Sequence, residues 1–490
     1  MSENGPFERG LAVLRALAEA PGHRARRVDL VRATSLARSP VDRLVATLLH
    51  LGHLREEGPD LLPTPQLLTL GNAYLAGTGL LPTLRPVLAR LSAELDESVS
   101  FAVPDGHGAR LIAQSERRRA MYLVFQVGGV LPVDRSSAGV VLALDWGEDQ
   151  LADWAEARER DPLDRGFPAV PPLAEAPPDR LGKLRRRISA AREQGWSVDE
   201  EWVEPGLLAV SVPVRHDGRL IGALNVLSHT SRHDAASLVA TVLPALRRAA
   251  GEIRPCSGDG PTNQADPRSG GLAAAEVGNA KGELGMEFVE AFARGLAVLC
   301  SFRAGGHTVS SAAAATGLSR ATARRALLTL CETGYATESG GHFTLLPTVL
   351  DLGYARLSTT TLTDVLLPHL RALEARVTTP VAAFEVSDQE FRCAAVVDTG
   401  RVRRLGVRVG DRRPLDSPLG RALGGGRWVR VEAGLEVLAL PVRDAGGVAS
   451  IALCVVAPDG TRMGEELFTV IMGVARRIEA DLVALDGGGS

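Results

Sequence analysis

The sequence predicts an α+β protein made of two copies of one unit, each a winged helix-turn-helix followed by an antiparallel-sheet domain flanked by helices, the second sheet domain being truncated. Three observations predict it. Blocks of sequence recur in the same order in both halves. Each half opens on segments of helical period, broken by a tight turn and followed by a hairpin signal. Each half then continues into strand-like apolar runs, with less chain between them in the second half.

The repeat begins with the first helix. FERGLAVLRAL (7–17) matches FARGLAVLCSF (292–302) at seven of eleven positions, and Leu11, Leu14 and Leu17 recur at helical spacing as do Leu296, Leu299 and Phe302. A second short helix follows at 28–34 and 310–316, then a tight turn at Ser35 or Gly317. A longer amphipathic helix comes next, from TSLARSPVDRLVATLLHLG (34–52) and TGLSRATARRALLTLCETG (316–334). It stops at Gly52 or Gly334, as helices commonly do. HLREEGPDLLPT and YATESGGHFTLLPT read as two short strands around a glycine-containing turn. Three helices and a β-hairpin make a winged helix-turn-helix whose third helix enters the DNA major groove. A small helical interaction module would use the same packing. The heads span 6–66 and 288–348.

The third helices differ. In the second copy Ser319 is placed to cap the helix, and Arg320, Thr322, Arg324 and Arg325 crowd its first turns. Arginine grips guanine edges and phosphates, and threonine or serine contacts either. Arg320, Thr322 and Arg324 are favoured over Arg325, which is expected to pack or pair internally. In the first copy Ser39-Pro40-Val41-Asp42 reads as a capping box with proline at the first helical position. Asp42 stands where the second copy has Arg324, and Glu56, Glu57 and Asp60 lie in the wing, all unfavourable beside phosphates. Arg38, Ser39 and Arg43 remain as its DNA-facing candidates.

Behind each head, 80–96 and 362–377 predict an amphipathic helix, with Leu84, Leu88, Leu91 and Leu95 on one face. Strand-like runs follow: SVSFAVP, ARLIAQS, MYLVFQV, LLAVSVPVR and LIGALNVLS in the first copy. In the second they are PVAAFEVS, FRCAAVVD, VRRLGVRVG, EVLALPVR and VASIALCVV. His216-Asp217-Gly218 signals a hairpin. The sheet domains are placed at 78–253 and 360–484, with a Gly/Pro/Ser-rich linker at 254–286 whose coil would span about 30 Å. Gly71 pairs with Gly353 at an offset of 282 and Pro213 with Pro441 at 228, so the second copy lacks 54 residues, roughly 146–199 of the first.

Composition bounds the function. The chain has 490 residues and a net charge of −3, so DNA contact must come from local patches rather than a global positive field. No apolar run reaches the ~20 residues of a membrane helix. The N-terminus has no apolar secretory core. Five scattered cysteines without a CxxC pair suit a reducing cytoplasm and argue against a disulfide framework or zinc ribbon. No phosphate loop, Gly-Xaa-Ser-Xaa-Gly elbow or HExxH is present, so no enzyme, cofactor or metal is expected. Arg117–Arg119 and Lys183–Arg187 read as solvated charge runs, and His229 with His233 lack a third metal ligand.

Arg-Gly-Leu-Ala-Val-Leu, Gly-Leu-Ser-Arg-Ala-Thr-Ala-Arg-Arg (317–325) and the Leu-Xaa-Leu-Gly before each second domain resemble the IclR family of bacterial transcriptional regulators, in the branch that governs aromatic acid catabolism. The chain resembles a tandem fusion of two members. The resemblance implies a GAF-like effector domain behind each head and a helix linking reader to sensor. It also implies assembly as a homo-oligomer or, here, an intramolecular pseudo-dimer. It places Ser136, Ser137 and Gly139 at the loop and helix start beside a ligand, and Asp199 at an acidic pocket position. Ala209 stands where cysteine is frequent, and Asn225 and Leu227 where some members carry serine. Trp202 stands where glutamate is common. The second copy is expected to lack the Asp199 segment and to carry Leu453 and Val455 for Asn225 and Leu227, leaving a dimerisation scaffold. The expected function is a cytoplasmic, operator-binding regulator, a repressor, controlled by a small organic acid of aromatic type. The alternative is a ligand-sensing co-regulator or dimerisation partner that has lost specific DNA binding.

Overall fold

A computed structural model of the chain describes residues 5–20, 24–117, 126–256, 285–353, 361–386, 390–398, 407–414, 429–432, 435–444, 447–458 and 465–486. The first head consists of α1 (Pro6–Glu19), α2 (Arg27–Thr34), α3 (Arg38–His50) and the hairpin β1 (Leu54–Glu57) and β2 (Asp60–Pro63). A 3-10 turn (Pro65–Leu67) runs into α4 (Leu68–Thr78), and α5 (Leu81–Leu95) leads to the first sheet domain. That domain contains β3 (Ser98–Asp105), β4 (Gly108–Ser115), β5 (Val130–Pro132), α6 (Ser137–Leu142), α7 (Glu148–Arg160) and α8 (Arg180–Gln194). It continues with β6 (Ser197–Glu200), β7 (Leu207–His216), β8 (Arg219–His229) and α9 (Ala235–Ala250).

The second head repeats the first: α10 (Glu290–Cys300), α11 (Val309–Thr316), α12 (Arg320–Glu332), β9 (Ala336–Ser339) and β10 (His342–Leu345). A 3-10 turn (Pro347–Leu352) follows. The second sheet domain has α13 (Leu362–Val377), β11 (Val381–Val386), β12 (Glu390–Val397), β13 (Arg412–Pro414), β14 (Val429–Glu432), β15 (Leu435–Arg443), β16 (Ala449–Pro458) and α14 (Glu465–Asp486).

The turns follow the sequence. Ser35 and Gly317, between the second and third helices, have φ of 56° and 68°, and Gly52 and Gly334, past the third, 75° and 78°. Asp217 and Gly218 have positive φ at both positions, the twist a two-residue hairpin needs. The expected start of α3 is overturned. The helix begins at Arg38 with Ala37 as its N-cap and no side-chain cap, so Ser39 and Pro40 lie within its first turn. Two expected strands are not seen in their described parts. Most of MYLVFQV and VRRLGVRVG, like most of the linker, lies outside the described residues, and Gln126–Val127 and 407–410 are turn or coil. The edge strands are instead β5 and β13.

Both sheets are antiparallel with the same order among the described residues, β5-β4-β3-β8-β7-β6 and β13-β12-β11-β16-β15-β14. Period-two alternation gives each sheet two apolar faces. In the first, Val99, Phe101, Val210, Val212 and Leu224 pack with α5 and α9, while Ala102, Leu111, Leu207 and Ala223 meet α6, α7 and α8. The strand β14 corrects the expected extent of the shortening. It pairs with β15 where β6 pairs with β7, so the second copy keeps this strand, and among the described residues no counterpart of α7 or α8 precedes it.

The heads pack on each other reciprocally. Gly10 of α1 lies under the Phe292 ring and Gly295 of α10 under the Phe7 ring; an added Cβ would come within 2.2 and 2.3 Å of those rings. One bond across this contact has no mate. The Arg15 guanidinium donates to the Tyr335 hydroxyl at 2.9 Å, and the counterparts of these two residues are Cys300 and His53. Each sheet domain touches the other copy's connector. Arg110 of β4 donates to Asp351 at 2.8 Å, and Gln66 and Asn72 donate to Asp481 and the Ala484 carbonyl of α14 at 3.0 and 2.8 Å.

Candidate functional site

The α12 helix is set by its cap and its apolar stripe. The Ser319 hydroxyl accepts the Thr322 N–H at 3.2 Å, as expected, and Ala323, Ala326, Leu327 and Leu330 turn inward. That leaves Ser319, Arg320, Arg324 and Arg325 exposed, and Thr322 half-buried with its hydroxyl 2.9 Å from that of Ser319. Arg325 corrects its expected inward role: it is exposed on the side away from the stripe. None of the three arginines has an ion pair among the described residues.

The first head places Arg38, Ser39 and Arg43 on its surface too, but its charges pair among themselves. Asp42 lies 3.5 Å from both Arg27 and Arg38, and Arg27 also meets Glu56 at 2.7 Å. Arg24 and Arg26 pair with Asp60 in the wing, and Arg55 with Glu57. Thus the acids expected to repel phosphate also hold the basic groups that would attract it.

The second candidate site is a small cavity of about 20 Å³ on the α6 face of the first sheet. It brings together Ser136, Ser137, Asp199, Ala209, Asn225 and Leu227, all drawn from the sequence, and adds Ser100, which was missed. Ser136 is committed to structure: its hydroxyl donates to the Pro132 carbonyl at 3.0 Å and accepts the Gly139 N–H at 3.1 Å. Gly139 is needed for close approach, since a Cβ there would fall 2.4 Å from Val133 Cα. The Ser137 hydroxyl pairs with that of Ser211, a second missed residue, at 2.7 Å. Only strand register could have found these two, because Ser100, Ser211 and Asn225 stand directly opposite one another on β3, β7 and β8.

Asn225 donates from Nδ2 to the Ser100 hydroxyl and carbonyl at 3.3 and 3.4 Å, and its buried Oδ1 has no hydrogen-bond partner among the described residues. Asp199 is 1% exposed and accepts the Trp202 N–H at 2.7 Å. Burial pushes its carboxyl up to about 7, opposed in part by that N–H and by the Arg187 and Arg135 charges. Val203, in the loop after β6, lines the cavity beside Trp202. The Arg187 guanidinium lies 3.4 Å from the Trp202 ring centre, and Arg135 donates to the Val203 carbonyl at 3.2 Å. Fully buried Asp164 binds Arg135, Arg158 and Arg180 behind the loop. Hence Arg185–Arg187 are not simply a solvated run: Arg185 and Arg186 form ion pairs and Arg187 is packed. Of the other basic run, Arg117 bonds the Ser92 carbonyl, and Arg118 and Arg119 lie outside the described residues. His229 and His233 lie at a strand end and in the following turn, where His233 faces Glu97.

In the second sheet domain strand register revises two expected counterparts. Pro213 faces Ala223 and Pro441 faces Ala452, so Asn225 corresponds to Cys454 and Leu227 to Val456, rather than Leu453 and Val455. The cause is one extra residue in the β15–β16 turn, which moves every later side chain one place along the pleat. Leu453 and Val455 face α13 and α14 instead. The positions of Ser100, Ser211 and Asp199 carry Ala382, Ala439 and Val429 by register. A larger cavity of about 470 Å³ lies elsewhere, at the end of this sheet. Of its charged residues, Glu385 pairs with Arg392 and Glu390 with Arg412, while Asp444 accepts the Val448 N–H.

Among the described residues no helix is long and apolar enough to cross a membrane. Residues 72–254 match the family profile of the bacterial transcriptional regulator IclR C-terminal domain. Residues 7–58 and 291–340 each match that of the IclR helix-turn-helix domain. Over 250 residues the chain is 30% identical to the Pca regulon regulatory protein of Pseudomonas putida, covering 50% of this chain and 81% of that protein. It is 28% identical to the Pca operon regulatory protein of Acinetobacter baylyi, covering 51% of this chain and 87% of that one. It is likewise 28% identical to the p-hydroxybenzoate hydroxylase transcriptional activator of the same organism, covering 50% and 90%. With both helix-turn-helix heads and the domain between them matched, the chain belongs to the IclR family of bacterial transcriptional regulators.

Proposed function

We propose that this protein is a sequence-specific repressor that reads operator DNA chiefly through α12 and answers to a small organic effector held in the first sheet domain. The observation that carries the reading is the contrast between the heads. Among the described residues Arg320, Arg324 and Arg325 stand exposed and without an ion pair on a capped helix, whereas the first head's Arg27 and Arg38 are engaged by Asp42 and Glu56. Free guanidinium groups are available to phosphate and guanine; paired ones must first give up a partner. Arg43 leaves the first head able to support binding, so the operator need not be a symmetric palindrome.

The effector is assigned to the first copy because Ser100, Ser137, Asp199 and Asn225 converge there, and the register mates of Ser100, Asp199 and Asn225 in the second copy are apolar or cysteine. A concave site needs only a few such polar groups. Relatives named for p-hydroxybenzoate and Pca regulation support an aromatic acid as the class to test first. The reciprocal Gly10–Phe292 and Gly295–Phe7 contacts support an intramolecular pseudo-dimer of heads, with effector-like domains at 78–253 and 360–484.

The test is binding of the full chain to its own upstream DNA and to unrelated DNA across a salt series. Tight, selective binding that weakens steeply with salt is expected. Equal and weak binding to both would overturn the reading in favour of a co-regulator without specific DNA binding.

A further inference from the structure

The third helices of the two heads align residue for residue. Helices α3 and α12 each run 13 residues, open on an arginine and lead into a hairpin of the same register, at a constant offset of 282. Arg38 therefore corresponds to Arg320 and Arg43 to Arg325, and all four are exposed. Between them, Pro40 and Thr322 are half-buried, and Ser39 against Ala321 changes one hydroxyl. Only the fifth place inverts charge, where Asp42 stands in the register of Arg324. The Asp42 side chain is 39% exposed. Its contacts to Arg27 and Arg38 are both 3.5 Å long, and its Oδ1 has no hydrogen-bond partner among the described residues. The carboxylate thus keeps acceptor capacity, while the two flanking arginines offset its charge toward phosphates.

Base chemistry separates the two side chains. Guanine shows the major groove two acceptors, O6 and N7, which suit an arginine and repel a carboxylate. Thymine offers the acceptor O4, and adenine sets the acceptor N7 beside its N6 donor. Cytosine offers its N4 donor alone. The reciprocal packing of Gly10 under Phe292 and Gly295 under Phe7 makes the heads mates, so each helix meets its own half-site in the same frame.

We propose that Asp42 is the specificity-determining residue that makes the operator asymmetric: where the second half-site presents guanine to Arg324, the first presents cytosine to Asp42. The bases read by Arg38 and Arg320, and by Arg43 and Arg325, are the same in both half-sites. The inference rests on the operator-binding reading above and names the class of sequence that the operator belongs to. The first head is then a reader of a different base pair rather than a silent copy.

Selection of bound duplexes from a randomised library by the full chain, followed by sequencing and competition binding, tests this. The parent should select two half-sites that agree at the shared arginine positions and carry an inverted G·C pair at the Asp42 position. Replacing that cytosine by guanine, which restores a perfect palindrome, should weaken the parent about tenfold or more. Asp42→Arg should reverse the order and prefer the palindrome. Asp42→Asn keeps the size of the side chain and should move the preferred base there from cytosine to adenine. It decides the matter if Asp42→Arg, set beside Arg27 and Arg38, does not fold. Loss of a merely structural contact would lower affinity for all sites alike and leave the preferred base unchanged. A parent that prefers the perfect palindrome, or an Asp42→Asn protein that keeps the parent's base, would overturn the proposal and leave the regulator reading intact. Selection of no sequence at all would sink both.

Discussion

Arg324 and Asp199 show how far a single residue's role depends on its neighbours. Arg324 is exposed on α12 without an ion pair among the described residues, and its counterpart Asp42 lies within 3.5 Å of Arg27 and Arg38. If Arg324 reads a base, Arg324→Ala should weaken operator binding by ~1–3 kcal/mol and relax specificity at that position, measured by competition against mismatched sites. Asp199 predicts a pH dependence of stability. Its folded carboxyl titrates at about 7, against an ordinary value of 3.8. Between these values the folded protein holds a proton that the unfolded chain has released, so stability falls as pH rises toward 7 and levels off above it. Each pH unit crossed is worth about 1.4 kcal/mol. Asp199→Asn keeps an acceptor for the Trp202 N–H and should remove this slope. Urea unfolding should find the variant the more stable protein above neutral pH, and equal slopes in both proteins would refute the assignment.

At the scale of elements, helices and turns were legible where the cause is local. Gly317, Gly52 and Gly334 adopt the left-handed conformation that a stop or turn requires, and Ser319 caps α12. The start of α3 was misread because Ser39-Pro40 is itself a good helix opening, while Ala37, with no capping side chain, takes the N-cap place that Ser319 takes in α12. The α6 face of the sheet was legible only in part. Which residues line it depends on pairing between strands far apart in sequence, and one extra residue in the β15–β16 turn moved Cys454 to the place expected for Leu453. The packing of α1 on α10 yields a further prediction. Gly295→Ala must push a methyl into the Phe7 ring and should destabilise the head pair by ~1–3 kcal/mol, measured by denaturant unfolding. An unchanged midpoint would mean that the two helices separate readily.

For the whole molecule, one continuous apolar core joins both heads to the first sheet domain, while the second sheet domain has cores of its own. The domain with the polar pocket touches the connector behind the head with the exposed α12 arginines. Leu111 lines the cavity, and its neighbour Arg110 reaches Asp351 at the end of the second head. Arg110 keeps Asp105 and the Gly128 carbonyl when Asp351 is changed, and the Asp351 side chain is 49% exposed. Asp351→Asn should thus alter stability by less than ~1 kcal/mol. It should, however, shrink the ligand-induced change in operator affinity severalfold, since coupling acts through differential contacts in the two states. Operator titrations with and without saturating 4-hydroxybenzoate measure this, and an undiminished response would exclude the ion pair as the link.

The repeat, the helix-turn-helix heads, the hairpins and the loss of chain from the second sheet domain were all determined by the sequence by itself. Local periodicity, turn chemistry and block order are carried by neighbouring residues. Tertiary structure alone decided which arginines of the two heads are held in ion pairs and which serines meet Asn225. It alone decided that β14 survives with Val429 at the place of Asp199, and that each sheet domain leans on the other copy's connector. These outcomes depend on register and on contacts across hundreds of residues, where a shift of one place along a strand exchanges the two faces of the sheet.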